Sequence, residues 1–392
     1  MRSEVASLRN LGLLVCFLPL ATCLGVSNGA NLTANECAYG SGSTDPVAVP
    51  QCVRLRGRIT VSDAERAKDL LIGAQRLADS LDGSQSTYDS NQAAEIARAL
   101  SQIIVFYSRG LFDDSARFHR MLDHVAVTEH YVRGDSILWL NGLEYPASTP
   151  HLAWQYYPDA GVYFQPVATV NPQFLVSLLP RPDIELDSLL QLTDQLYNYA
   201  IWRERAGRAF PVWEYEFRFS SGGIPNDPPW ISSLSQGLAM MVFLERFRRT
   251  GDPLWKRRAL EVFGSYYVTW NDGGILLPDT THGYWWEEFS PTVRIWNGSA
   301  WSVLAIGYLW QLTGDPEVAR MFGRGIDAIK YYTPEYDTGS WTLYSKVQGY
   351  NTVLYHRICI TIMDQLFAQS GDSWFKTVAD KWRSYVPPAG VH

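Results

Sequence analysis

The chain has no basic excess. Over 392 residues it carries 33 Lys and Arg against 40 Asp and Glu, a formal net charge of -7. A nucleic-acid partner therefore has no global electrostatic support. An acidic polymer is held only if basic groups gather locally against the average field. Long apolar runs are missing too, with one exception. Leu11 to Leu24 is almost wholly apolar but too short to span a bilayer comfortably. Preceded by Arg2 and Arg9, it reads as an export signal over residues 1–24, and no further segment is expected to cross a membrane. Leu20-Ala21-Thr22-Cys23 loosely resembles a bacterial lipoprotein processing site, although Thr beside the Cys is unusual. The expected location is thus outside the cytoplasm: periplasmic, lipid-anchored or secreted. Cysteine is scarce, at five residues, and none has the His/Cys spacing of a zinc site. Neither a metal nor a cofactor is expected. Cys37 and Cys52 flank a short loop in a Gly/Ser/Pro-rich stretch, and fit either a disulfide in an exported protein or two unpaired thiols. Cys359 stands alone in an apolar helical pattern and reads as core.

Aromatic residues, by contrast, are abundant: 15 Trp, 22 Tyr and 16 Phe. They fit a large core and equally a groove that stacks on sugar rings. Residues 25–60 are rich in Gly, Ser, Pro and Asn and read as a linker. Asn31-Leu32-Thr33 and Asn297-Gly298-Ser299 match the glycosylation sequon. Residues 61–135 read as an N-terminal helical part. Its first helix opens on a capping box at Ser62-Asp63-Ala64-Glu65, with apolar residues at helical spacing behind it. Two more helices are predicted over 91–107 and 113–124. Residues 131–180, with many aromatics and prolines, read as short strands and long ordered loops.

The second half carries a weak repeat. Thr250-Gly251-Asp252-Pro253 recurs as Thr313-Gly314-Asp315-Pro316, and again, degraded, as Ser370-Gly371-Asp372. The copies lie roughly 60 residues apart, a period of the kind that stacks structural units. Each follows an apolar helix and precedes an amphipathic one. Gly ends a helix in the left-handed conformation, Asp caps the next, and Pro suits its first turn. The expected fold is therefore mainly α: residues 136–388 form an (α/α) toroid or incomplete barrel of helical hairpins, with short β-hairpins inserted at one rim. Phe210–Phe219 and the pair Ile275–Pro278 and Tyr284–Phe289 have the strand character for such insertions. The clusters Arg203/Arg205/Arg208 and Lys256/Arg257/Arg258 read as solvated helix faces.

Several ordered blocks resemble the C-terminal catalytic domain of the D-glucuronyl C5-epimerases. Pro228-Pro229-Trp230 through Gln236-Gly237 is similar to the segment opening a core helix in that family. Tyr284-Trp285-Trp286-Glu287-Glu288-Phe289 is similar to its Trp-Tyr-Glu-Glu-Tyr signature, with Phe289 where animal members carry Tyr. Asn297-Gly298 resembles the helix start that follows. Tyr336-Asp337-Thr338-Gly339-Ser340 through Tyr344 resembles a Tyr-Asp-Thr-Gly-Ser segment, after which Ser345-Lys346-Val347 replaces Asp-Leu-Arg. Tyr355-His356 begins a helix that ends in Lys381-Trp382-Arg383-Ser384-Tyr385, again as in the family. The order and spacing match over about residues 210–386.

The resemblance implies an exported isomerase that converts D-glucuronate to L-iduronate within a heparosan-like acidic polysaccharide, without a cofactor, and as a homodimer. It assigns catalysis to Glu288, Tyr344 and Tyr355. It makes Trp230, Gln236, Trp286, Arg294, Asn297, Lys346, His356 and Arg357 candidates for substrate binding, although Gln236 and Asn297 also read as caps or buried polar partners. The chemistry needs such residues. The C5 proton is weakly acidic because the neighbouring carboxylate resists a second negative charge, so donors or cations must neutralise that carboxylate. Two groups must then face opposite sides of the ring, one taking a proton and one returning it. A lyase shares the first step and then eliminates the C4 substituent. A hydrolase needs two carboxylates facing one bond, and Glu287 and Glu288 on one strand point to opposite sides. An inactive glycan-binding relative is the remaining alternative.

Overall fold

The computed structural model describes residues 37–38, 45–84, 86–133, 143–144, 149–157, 160–174, 185–221, 223–279, 283–286, 290 and 292–391. The export-signal reading over residues 1–24 and the sequon at Asn31 lie outside them. No helix among the described residues is long and apolar enough to cross a membrane.

The fold is mainly helical, with small antiparallel sheets. Part of the stretch read as a linker is folded instead. Pro46–Ala48 makes a 3-10 turn and Val49–Leu55 forms α1. Val49, Cys52 and Val53, at i, i+3 and i+4, are buried in the core of the following helices. Among prolines and glycines that stripe is too brief to read as a helix. A disulfide joins Cys37 to Cys52, with 5.1 Å between Cα atoms. It ties residue 37 to α1, and the side chains of Tyr107 and Arg56 both donate to the Cys37 carbonyl.

Three helices follow: α2 (Val61–Asp82), α3 (Thr87–Ser108) and α4 (Ser115–Arg133). The capping box of α2 lies two residues earlier than expected. The Thr60 hydroxyl accepts from Asp63 N at 3.1 Å and the Asp63 carboxylate accepts from Thr60 N at 3.2 Å. Thr60 is the last extended residue (ψ 168°), so its hydroxyl reaches the first turn before Ser62 does. The third helix also runs well past the expected residue 124.

β1 (Leu143–Glu144), β2 (Trp154–Tyr157) and β3 (Gly161–Phe164) form a three-stranded antiparallel sheet, with Trp154 opposite Phe164. α5 (Pro166–Phe174) and α6 (Leu186–Asn198) come next. The hairpin of β4 (Ile201–Arg205) and β5 (Arg208–Val212) follows, then that of β6 (Phe219–Ser221) and β7 (Ile224–Asn226). Arg203, Arg205 and Arg208 therefore sit on a β-hairpin, not on a helix face.

The repeat folds as three helical hairpins. α7 (Ser233–Thr250) turns into α8 (Pro253–Phe263). The hairpin of β8 (Leu276–Asp279) and β9 (Gly283–Trp286) leads to α9 (Trp296–Thr313), which turns into α10 (Pro316–Tyr332). The short pair β10 (Leu343–Ser345) and β11 (Gly349–Tyr350) then leads to α11 (Val353–Ser370), which turns into α12 (Ser373–Arg383). Gly251, Gly314 and Gly371 close the first helix of each pair at φ 72°, 65° and 70°, and Asp252, Asp315 and Asp372 cap the second. The tight turns are those the sequence predicts.

α7, α9 and α11 form an inner layer, with α8, α10 and α12 outside it. α9 is buried from Trp296 to Ile306, as a helix apolar on all sides must be. The inner helices are parallel. Gly237 of α7 lies against Ser302 and Ala305 of α9, and further along Tyr308 donates to Glu245. Where α9 and α11 begin, both meet the end of α12: Trp296 stands 5.4 Å from Trp382, and His356 bonds the Trp382 carbonyl. The inner helices therefore start at one end of the stack, beside the β-hairpins. The turns at Gly251 and Gly314 lie toward the other end, whereas Asp372 of the third pairs with Lys330 in the last turn of α10 at 2.5 Å.

Candidate functional site

The starting end of the inner helices is organised by Asp337. After the 3-10 turn Thr333–Tyr336, the chain reverses at Gly339, whose φ of 84° suits glycine. Asp337 Oδ1 accepts from Gly339 N at 2.8 Å and from the Tyr385 hydroxyl at 2.6 Å. Its Oδ2 accepts from Lys381 Nζ at 2.9 Å and from Trp382 Nε1 at 3.1 Å. Burial alone would raise this carboxyl, but the donors outweigh it and hold it below the usual carboxylate range. The Asp-Thr-Gly-Ser segment is thereby pinned to the end of α12.

From that anchor β10 carries Tyr344 toward the start of α11. Thr352 caps α11, accepting from Tyr355 N at 3.3 Å, so Tyr355 stands in the first turn. The two phenol rings meet edge to face, with centroids 5.2 Å apart and planes at 79°. Tyr344 is half-buried, and Tyr355 is 37% exposed.

The loop before α9 is stitched to the same place. Lys346 N donates to the Val293 carbonyl at 3.2 Å, and the Tyr336 hydroxyl donates to the Arg294 carbonyl at 2.7 Å. Arg294 has φ 50°, a left-handed conformation that a side chain rarely adopts. Such strain costs about 1–3 kcal/mol and persists where surrounding contacts over-determine the backbone. The Arg294 guanidinium lies 5.9 Å from the Tyr332 ring centroid, and Lys346 Nζ lies 5.5 Å from that of Tyr336 while pairing with Glu335. The structure thus gathers Tyr344, Tyr355, Arg294 and Lys346 at one end of the stack. Asn297 lies in the first turn of α9, buried, with its Oδ1 accepting from Gly298 N at 2.9 Å. That burial removes Asn297 as a glycosylation acceptor.

Other sequence candidates go elsewhere. Gln236 is fully buried and braces α7: its amide donates to the Pro211 carbonyl and accepts from Trp213 N. Trp230 is stacked on Tyr215 at 3.9 Å and donates to the Phe217 carbonyl, inside an aromatic cluster. His356 is buried, with both ring nitrogens bonded to protein. Arg357 is exposed, but two residues past Tyr355 on a helix it lies about 200° around the axis. Substrate contact is thus unsupported for these four. Trp286 ends β9, and Glu288 lies outside the described residues. Cys359 is core, as expected, and burial pushes its thiol up to about 12.

Two buried carboxylates escaped the sequence reading. Glu214, fully buried, accepts from Arg117 at 2.7 and 2.8 Å and from Arg203 at 2.5 Å. Glu216 accepts from Arg120 at 3.3 Å and bonds His124 at 2.6 Å. Arg117, Arg120 and His124 line one face of α4. The only signal in the sequence was the spacing itself, Glu-x-Glu against Arg-x-x-Arg-x-x-x-His.

Residues 207–384, just under half of the chain, match the family described as the D-glucuronyl C5-epimerase C-terminus. That stretch belongs to this family. A D-glucuronyl C5-epimerase of Caenorhabditis elegans is 23% identical over 222 residues, covering 50% of this chain and 35% of the worm protein. An uncharacterized protein of Methanocaldococcus jannaschii is 25% identical over 179 residues, covering 44% of this chain and 58% of its own length. The chain thus spans only part of either relative. The epimerase-family stretch holds all three helical hairpins, both tyrosines, Arg294 and Lys346. It does not hold Arg117, Arg120 and His124, the side chains of α4 that bond its two buried carboxylates.

Proposed function

We propose that the protein is a uronate C5-epimerase that converts D-glucuronate units of a heparosan-like polysaccharide to L-iduronate. The observation that carries this reading is the edge-to-face pair of Tyr344 and Tyr355 at the starting end of the inner helices, within the epimerase-family stretch. In this scheme one group removes the C5 proton and a second returns a proton from the other face, with Glu288 as the third participant. A phenolate formed at Tyr355 would sit in the first turn of α11, where the helix dipole favours negative charge by about 0.3–1 kcal/mol. Arg294 and Lys346 supply cations at this end for the substrate carboxylate, whose neutralisation the carbanion requires.

Parallel inner helices supply further support. Their starting ends carry partial positive charge, which offers an acidic chain a local attraction despite the net charge of -7. We also propose that the double layer, continued by α5 and α6 against α7, curves as an incomplete (α/α) toroid around this end. The Cys37–Cys52 disulfide supports export to an oxidising compartment.

Proton NMR of heparosan incubated with the protein in deuterated water tests the reading. Deuterium at C5 with iduronate signals and unchanged chain length is the expected result. Unsaturated ends would make the protein a lyase, and binding without exchange an inactive relative.

A further inference from the structure

The neighbours of the two tyrosines are joined by a single chain of hydrogen bonds. Asn351 Nδ2 donates to Thr342 Oγ1 at 2.8 Å. Thr342 Oγ1 lies 2.8 Å from His356 Nδ1, and His356 Nε2 lies 3.1 Å from the Trp382 carbonyl. A carbonyl only accepts, so Nε2 carries the hydrogen. Nδ1 of the neutral ring then accepts from the Thr342 hydroxyl. Every donor in the chain points the same way. The imidazole is also stacked on Trp341, with centroids 3.7 Å apart and planes at 16°, and Trp341 Nε1 donates to the Asn351 carbonyl at 2.8 Å.

Thr342 stands two residues before Tyr344, and His356 is the residue after Tyr355. Asn351 ties the two ends together, since its backbone N donates to the Thr342 carbonyl at 3.0 Å and its amide also reaches the Leu343 carbonyl at 3.2 Å. All three side chains are buried. Burial favours the neutral imidazole, as the Nε2–H arrangement requires, and lowers its affinity for a second proton.

We infer that His356, locked through Thr342 and Asn351, is a positioning residue that fixes Tyr344 against Tyr355. It touches no reacting atom. The inference deepens the proposed function and rests on the reading that the two tyrosines move the proton. Its role is to keep β10 and the first turn of α11 in one register, because a displacement of about 1 Å at a reacting group can cost on the order of 100-fold in rate.

The test measures C5 deuterium incorporation into heparosan by the full chain and its variants, with the fold of each checked by circular dichroism and melting. Thr342→Val keeps the shape and removes the hydroxyl. We expect kcat to fall roughly 10- to 100-fold with KM within about twofold, the signature of lost alignment. Thr342→Ser, which restores the hydroxyl, returns kcat to near the parent value. Wild-type kcat in Thr342→Val, alongside an inactive Tyr355→Phe, overturns the positioning role and leaves the proposed function intact. Full exchange in Tyr355→Phe overturns the reading beneath it. Nitrogen-15 NMR of histidine-labelled protein tests the hydrogen-bond chain without substrate or mutation. One buried imidazole must be neutral with its hydrogen on Nε2, and a ring protonated on Nδ1 at that position overturns the inference.

Discussion

Tyr344 and Tyr355 come from different elements, a two-residue-paired strand and the first turn of a long helix, yet their rings stand 5.2 Å apart at 79°. Neither phenol is sealed in the core, so both can meet a ligand. Removing either hydroxyl should leave packing nearly unchanged while withdrawing one proton-transfer group. Tyr344→Phe and Tyr355→Phe are each expected to lower epimerisation by roughly 100- to 10,000-fold, the range for a general acid or base. Quantifying iduronate in treated heparosan checks this, and a variant at parental rate removes that tyrosine from the mechanism.

Glu214 governs acid stability. Burial would raise its carboxyl, but Arg203 and Arg117 hold it far below the usual carboxylate range. A group whose folded pKa is depressed contributes fully above its unfolded value, about 4.3, and loses that contribution as pH falls through the folded one. Stability should therefore drop on acidification below that value. Glu214→Gln should lose about 3–5 kcal/mol at neutral pH, because two arginines keep their burial without a counter-charge. Denaturant melts across pH measure both.

The same ion pairs predict where the protein can be cut. Glu214 and Glu216 lie in the epimerase-family stretch, and Arg117, Arg120 and His124 lie on α4, outside it. A fragment beginning at residue 207 should express as aggregated or unfolded chain, whereas one beginning at residue 45 should fold. Gel filtration with circular dichroism distinguishes them.

Asp337 accepts four hydrogen bonds. Asp337→Asn keeps the size but, in either orientation, turns its NH2 toward at least one group that only donates: Gly339 N on one side, Lys381 and Trp382 Nε1 on the other. The expected cost is about 1–3 kcal/mol. The end of α12 should loosen first, which hydrogen exchange at residues 381–385 would reveal. Unchanged protection there would show the anchor to be dispensable.

The Cys37–Cys52 bridge closes a loop of sequence separation 15. In the chain-entropy view a loop of that size contributes about 3 kcal/mol. Reduction, or Cys52→Ser, should lower the melting temperature, with α1 to α4 exchanging fastest. Equal melting with and without reductant would exclude a stabilising role.

Local rules were the most legible part of the sequence. Gly251-Asp252, Gly314-Asp315 and Gly371-Asp372 announce their turns because a left-handed glycine and a capping carboxylate act over a few residues. The β8–β9 hairpin was readable for similar reasons. Thr60 as the cap of α2 was not, since Ser62 and Glu65 spell an equally good box nearby. Folded residues 46–55 were hidden by their prolines. Within the site, motif residues could be recognised but their duties could not. Asp337 and His356 are equally polar in sequence, and only tertiary packing shows that both are spent on internal bonds. Trp230 is spent the same way inside its aromatic cluster, and of the two readings of Gln236 it is the buried polar partner that the structure shows. Ion pairs between residues about a hundred positions apart, as in Arg117 with Glu214, leave no local trace at all.

Because α7, α9 and α11 run the same way, the molecule has a working end and a plain end. The connections bearing β8–β9 and β10–β11 occupy the first, and the glycine turns at 251 and 314 lie toward the second. Labels, tethers and solid supports accordingly belong on the plain end. A protein held there would keep its tyrosine pair facing the bath.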